Sequence, residues 1–83
     1  LPAGLLEAAH LDSVHIVRES PAAGKSIGEL GLRTHTGVSI VGIERNSERI
    51  VNPGPDETLH EGDQLLLLGE DNQLSKAKIE LNP

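Results

Sequence analysis

Residues 38–69 read VSIVGIERNSERIVNPGPDETLHEGDQLLLLG, and this stretch decides the fold. Val38, Ile40, Val41 and Ile43 place apolar side chains on both faces of an extended segment, Asn46-Ser47 supplies turn residues, and Ile50-Val51 begins a return strand. The pattern predicts a β-hairpin. It must stop at Asn52-Pro53-Gly54-Pro55, because proline cannot donate to a strand ladder and Gly54 opens a turn. A second turn at Gly62-Asp63 leads into residues 64–69, where four successive leucines put apolar groups on both sides of the chain. That predicts a central strand covered on both faces, with a second subunit able to supply one of the covers.

Upstream, Ser26-Ile27-Gly28-Glu29 fits a capping box, in which Ser26 accepts from the Glu29 amide while Glu29 reaches back to Ser26. The short helix it starts carries Ile27 and Leu30 on one face and ends at Gly31, which is free to take the left-handed conformation of a helix stop. Further upstream, DSVHIVRES sets Val14 and Ile16 between polar neighbours, predicting a strand over residues 13–19 that Ser20-Pro21 closes. Residues 1–12 read as a linker or leader helix from the spacing of Leu5, Leu6 and Ala9. Downstream, Asp71 is placed to cap a helix whose Leu74, Ala77, Lys78 and Leu81 share one face, and Asn82-Pro83 ends it. This order predicts an α+β fold: a small, mainly antiparallel four-stranded sheet with two or three short helices on one face. A small β-barrel is the rival, and the terminal helix counts against it.

Thirteen leucines, six isoleucines, five valines and six alanines must build the core of the 83-residue chain, because Cys, Met and aromatics are absent. Such a chain buries somewhat more than about 60% of its unfolded surface, enough to fold with little margin. Without cysteine, neither a disulfide nor a Cys-ligated zinc can act as a staple, which leaves oligomerisation as the remedy. Seven Lys plus Arg against thirteen Asp plus Glu give a net charge of -6. That sign, with the cations scattered from Arg18 to Lys78, disfavours a nucleic acid polymer as partner. The longest unbroken apolar run is Leu65 to Leu68, far short of the roughly 20 residues of a spanning helix, and no signal peptide opens the chain. The start at Leu1 without Met points to a fragment of a longer polypeptide, whose membrane segments would lie elsewhere.

Catalysis finds no residues in this pattern. Ser26 is explained as a cap, and Ser13, Ser20, Ser39, Ser47 and Ser75 sit in no nucleophile elbow. Glu70-Asp71 and Asp56-Glu57 fall at element ends, where carboxylates favour helix starts or face water. His10, His15, His35 and His60 show no metal-ligand spacing and read as separate surface groups, modestly pH-responsive near pH 6.5. The segment PAAGKSIG has neither Walker nor G-x-G-x-x-G spacing, although the helix start at Ser26 to Gly28, beside Lys25, could hold an anion. Arg33, just after the helix-stopping Gly31, is placed either to read a carboxylate or phosphate with two donors or to satisfy the last helical carbonyls.

Taken in order, Ser20-Pro-x-x-Gly24-Lys-x-Ile-x-Glu-Leu30, Leu32-Arg33 with Gly37 before a strand, Asn52-Pro53-Gly54, and Gly62-Asp63-x-Leu-x-x-x-Gly69 resemble the RCK C-terminal domain, also called TrkA-C. The resemblance spans about residues 14–81 and assigns residues 13–83 to such a domain. It implies a cytosolic regulatory lobe, at the membrane's cytoplasmic face, of a potassium channel, a potassium-uptake system or a monovalent cation/proton antiporter. The antiporter form is the most similar. It also implies a homodimer and, in some members, a small effector such as cyclic di-AMP between subunits. Carried over residue by residue, Ile27 on the short helix, Arg33, and Pro53 of the NPG turn match effector-binding positions, with Gly28 a further candidate ligand-binding residue. Ser39 stands where those members carry asparagine, Thr36 stands where an aromatic often sits, and His35, in the loop after Arg33, is a further candidate ligand-binding residue. No metal ligands transfer. The expectation is therefore a non-enzymatic, dimerising regulatory module of a cation transporter, the alternative being an effector-free assembly domain of a channel or uptake system.

Overall fold

The computed structural model describes residues 3–83. Helix α1 covers Ala3–Ala8, β1 His10–His15, α2 Ile27–Leu30, α3 Leu32–Thr36, β2 Ser39–Arg45, β3 Glu48–Val51, β4 Gln64–Gly69 and α4 Asp71–Leu81. The strands form one antiparallel sheet in the order β1-β4-β2-β3. This is the α+β architecture expected, with α4 packed across β1 and β4 and α3 packed against α4. The hairpin β2-β3 turns at Asn46 and Ser47, whose φ values of 50° and 69° are both left-handed. Two such residues give the loop whose twist matches that of paired strands.

The core lies on one face of the sheet. Val14, Ile43, Leu65 and Leu67 point from the strands toward Leu32 and toward Leu74, Ala77 and Leu81, with Ile16, Val38 and Leu59 closing the sides. Burying each such aliphatic stabilises the fold by about 1.5–3 kcal/mol. β4 is central, as expected, but it is covered on one face only. Leu65 and Leu67 are fully buried, whereas Leu66 and Leu68 remain 41% and 36% exposed, because α3 and α4 pack on the same side.

Four element boundaries differ from expectation. β1 occupies residues 10–15 rather than 13–19. It starts early because His10, Leu11 and Asp12 find partners in Gly69, Leu68 and Leu67. It stops early because Asn82 captures the next backbone groups: the His15 carbonyl accepts from Asn82 Nδ2 at 2.8 Å and the Val17 amide donates to Asn82 Oδ1 at 3.4 Å. The helix expected over residues 1–12 accordingly ends at Ala8, and the part of it at residues 1 and 2 lies outside the described residues. Gly31 does end α2 with φ 59°, yet the chain re-enters a helix at once, so Arg33 and His35 sit in α3 rather than in a loop. At α4 the cap is Glu70, whose amide donates to Gln73 Oε1 at 2.9 Å; Asp71 is the first helical residue instead.

Candidate functional site

The 53–63 connection is the piece that shapes the site. At its near end the capping box of α2 forms as expected, with the Glu29 amide donating to Ser26 Oγ at 3.1 Å and the Ser26 amide to Glu29 Oε1 at 3.0 Å. The free amides of Ile27 and Gly28 then donate to Glu57 O and Pro55 O, both at 2.9 Å. Gly28 suits that approach, since a Cβ there would sit a tight 3.2 Å from the Pro55 carbonyl oxygen. The prolines of the NPGP turn are thereby held against the start of α2.

At its far end the connection is bolted by Arg45. Nε and Nη2 donate to the two oxygens of Asp63 at 2.8 and 2.7 Å, and Nη2 also donates to the Thr58 carbonyl at 2.9 Å. Glu57 Oε2 lies 3.4 Å from Nη1, and the His60 amide donates to Asp63 at 2.8 Å. Asp63 is 1% exposed. Burial pushes its carboxyl up, but hydrogen bonds from Arg45 and the His60 amide, with the arginine charge, outweigh burial and hold it below the ordinary 3.8. Arg45 is raised in turn, first by its hydrogen bond to Asp63.

Between α2, α3, the start of β2 and the NPGP turn lies an open cleft of about 330 Å³. Five of the six expected site residues line it: Ile27, Gly28, Arg33, Ser39 and Pro53. His35 does not. Its ring instead lies beside Gly31, with Cε1 3.5 Å from where a Cβ there would lie, and Nδ1 is 3.3 Å from Glu80 Oε1 on α4. Gly31, Leu32, Thr34, Val38, Ile40 and Pro55 complete the lining, and pattern reasoning had missed them as site residues. The NPGP turn was the available signal for Pro55; the others follow from α3, whose missing cap left no mark in the sequence.

The cleft combines an aliphatic floor, two proline faces, the Ser39 hydroxyl and a guanidinium. Arg33 is exposed and, among the described residues, no side chain or carbonyl takes its donors, so it does not serve as the helix-terminal cap that was the alternative. Such a surface suits a flat, partly apolar ligand carrying an anionic group. Among the described residues, no group of three metal-ligating side chains forms.

The family model described as the TrkA-C domain matches residues 13–81. The chain belongs to the TrkA-C family. Among curated relatives, the TrkA-C domain is 35% identical over 63 residues to the ammonium/proton antiporter subunit AmhM of Alkalihalophilus pseudofirmus. It is 34% identical over 62 residues to the potassium/proton antiporter subunit KhtT of Bacillus subtilis. The matches cover 76% and 74% of this chain but only 38% of each relative. Among solved structures, the RCK_C domain dimer of S. agalactiae BusR in complex with c-di-AMP superimposes with a TM-score of 0.77 and 33% identity, over 88% of this chain and 93% of that one. The RCK C domain of the potassium transport protein KtrA, also in complex with c-di-AMP, gives 0.81 and 29% identity, over 94% and 89%. BusR has also been solved with its promoter DNA, where the TrkA-C domain covers 38% of the BusR chain.

Proposed function

We infer that this TrkA-C domain is a non-enzymatic, effector-reading module that regulates a monovalent cation transporter at the cytoplasmic face of the membrane, as part of the same or an associated chain. The cation/proton antiporter is the form favoured by the AmhM and KhtT likenesses. The effector is a cyclic dinucleotide of the cyclic di-AMP type, and the functional unit is a homodimer, as the BusR and KtrA complexes suggest. A nucleic acid polymer is disfavoured by the net charge of -6.

The observation that carries this reading is the convergence of Ile27, Gly28, Arg33, Ser39 and Pro53, from four separate stretches of chain, on one cleft with an uncommitted guanidinium. An apolar floor and prolines offer stacking surfaces for bases, and Arg33 offers two parallel donors to a phosphate. Effector binding alters a transporter only by preferring one subunit arrangement to another, so affinity and regulation are one quantity.

Thermal unfolding of the TrkA-C domain in cyclic di-AMP tests it. At a ligand concentration of about 100 times Kd, native-state binding adds about 2.7 kcal/mol, and an 83-residue domain should melt about 10–20 °C higher. Arg33→Ala should remove most of the shift. The absence of a shift with cyclic di-AMP, other adenine nucleotides or divalent cations would transfer the domain to the effector-free assembly reading.

A further inference from the structure

Two sides of the effector cleft are laced to each other through the backbone. The Gly24 amide donates to the Leu59 carbonyl and the Leu59 amide to the Lys25 carbonyl, both at 2.8 Å, while the Ile27 and Gly28 amides donate to the Glu57 and Pro55 carbonyls. An antiparallel bridge between Ser26 and Thr58 lies in the middle of this ladder. The wall that carries Ile27 and Gly28 and the wall that carries Pro55 therefore form one brace, because displacing either alone would break four backbone hydrogen bonds. The third side is β2, which contributes Ser39 and Ile40. That strand ends in Arg45, which reaches the centre of the brace: Nη2 donates to the Thr58 carbonyl at 2.9 Å, and Nη1 lies 3.4 Å from Glu57 Oε2.

We propose that Arg45 is a positioning residue for the effector: it lines no part of the cleft, yet it sets how far the two-walled brace stands from β2. The inference rests on the effector reading for its ligand. Asp63 fits the arginine for this role. Both oxygens of that buried carboxylate accept from Nε and Nη2, which fixes the plane of the guanidinium and aims its other donor directions at Thr58 and Glu57. A guanidinium presents its donors as a rigid fork and can serve three partners at once in fixed geometry. A lysine ammonium keeps the charge that Asp63 needs but has no fork. Replacing one by the other therefore separates the two duties: Asp63 stays paired while the brace loses its anchor. The cleft then has no set width, and a ligand that must touch Ile27, Pro53 and Arg33 together has to order the walls as it binds, at a cost in affinity.

The test pairs calorimetric titration with cyclic di-AMP and amide hydrogen exchange without it, both far below the melting point and with circular dichroism to confirm folding. Arg45→Lys should weaken binding at least about tenfold. It should also speed exchange of the Ile27 and Gly28 amides relative to those of the central strand β4, a local effect that a loss of global stability does not produce. Val14→Ala, in the core on β1, is the control: it should lower the melting point yet leave affinity and the relative exchange unchanged. Glu57→Gln, which alters only the partly exposed contact to Nη1, should weaken binding by a smaller factor, and it carries the same test if Arg45→Lys does not fold. Folded Arg45→Lys that binds as tightly as the parent would overturn the proposal, as would Val14→Ala losing as much affinity, or, where only Glu57→Gln folds, unchanged binding by that variant. A parent that does not bind cyclic di-AMP would remove the effector reading, and exchange would then decide the positioning role: selective loss of protection at Ile27 and Gly28 supports it and uniform loss overturns it.

Discussion

Arg45 and Arg33 both belong to the surroundings of the connection between β3 and β4, and they have opposite fates. Arg45, 21% exposed, spends its donors on Asp63, Thr58 and Glu57 of its own chain. Arg33 lines a cleft with its donors uncommitted among the described residues. The difference separates an arginine that makes the site from one that the site offers. A buried carboxylate such as Asp63 can stay charged only if its partner is fixed, so Arg45 is tied to the fold. An exposed guanidinium contributes little to stability and can be held in reserve for a ligand.

The comparison breaks if the two residues respond alike to truncation. Arg45→Ala strands the Asp63 charge in the interior and should cost about 3–5 kcal/mol. By thermal denaturation the melting point should fall by about 12 °C or more. Arg33→Ala, without ligand, should stay within about 0.5 kcal/mol of the parent. Equal losses would mean that Arg33 is structural.

Acid sharpens the same contrast through Asp63. Its folded carboxyl is held below the ordinary 3.8, so it binds protons less readily when folded. Its contribution is therefore complete above that value and lost as pH falls through the lower, folded one. Chemical denaturation across pH 2–5 should show a steep loss for the parent and a shallower one for Arg45→Ala.

The smallest effect is expected at the other end of the sheet. His10 Nδ1 lies 2.5 Å from Asp71 Oδ1, and that hydrogen bond, then the charge of Asp71, raises the imidazole above its ordinary 6.5. A raised value means stabilisation that is whole below about pH 6.5 and fades as pH climbs through the folded value. Because the pair is exposed, the melting point should drift down only slightly above neutrality, and Asp71→Asn should flatten the drift.

Local signals were read well where the chemistry is local. The capping box at Ser26 and Glu29, the stop at Gly31, the Asn46-Ser47 turn and the leucine run all depend on residues within a few positions of each other. Elements settled by distant partners escaped. The end of β1 depends on Asn82, some 67 positions away, and α3 is held by the burial of Leu32 and Thr36 rather than by a cap. The site residues suggested by resemblance gathered in one cleft except for His35, which α3 turns toward α4.

Composition and short-range pattern alone determined an aliphatic, acidic α+β domain with a central leucine strand and a turn built on prolines, because periodicity and backbone restriction are written residue by residue. Only the tertiary structure decided which face of that strand is covered, which arginine is consumed and which is left at a cleft. Those outcomes depend on which distant groups meet, and burial and charge pairing are properties of neighbours in space.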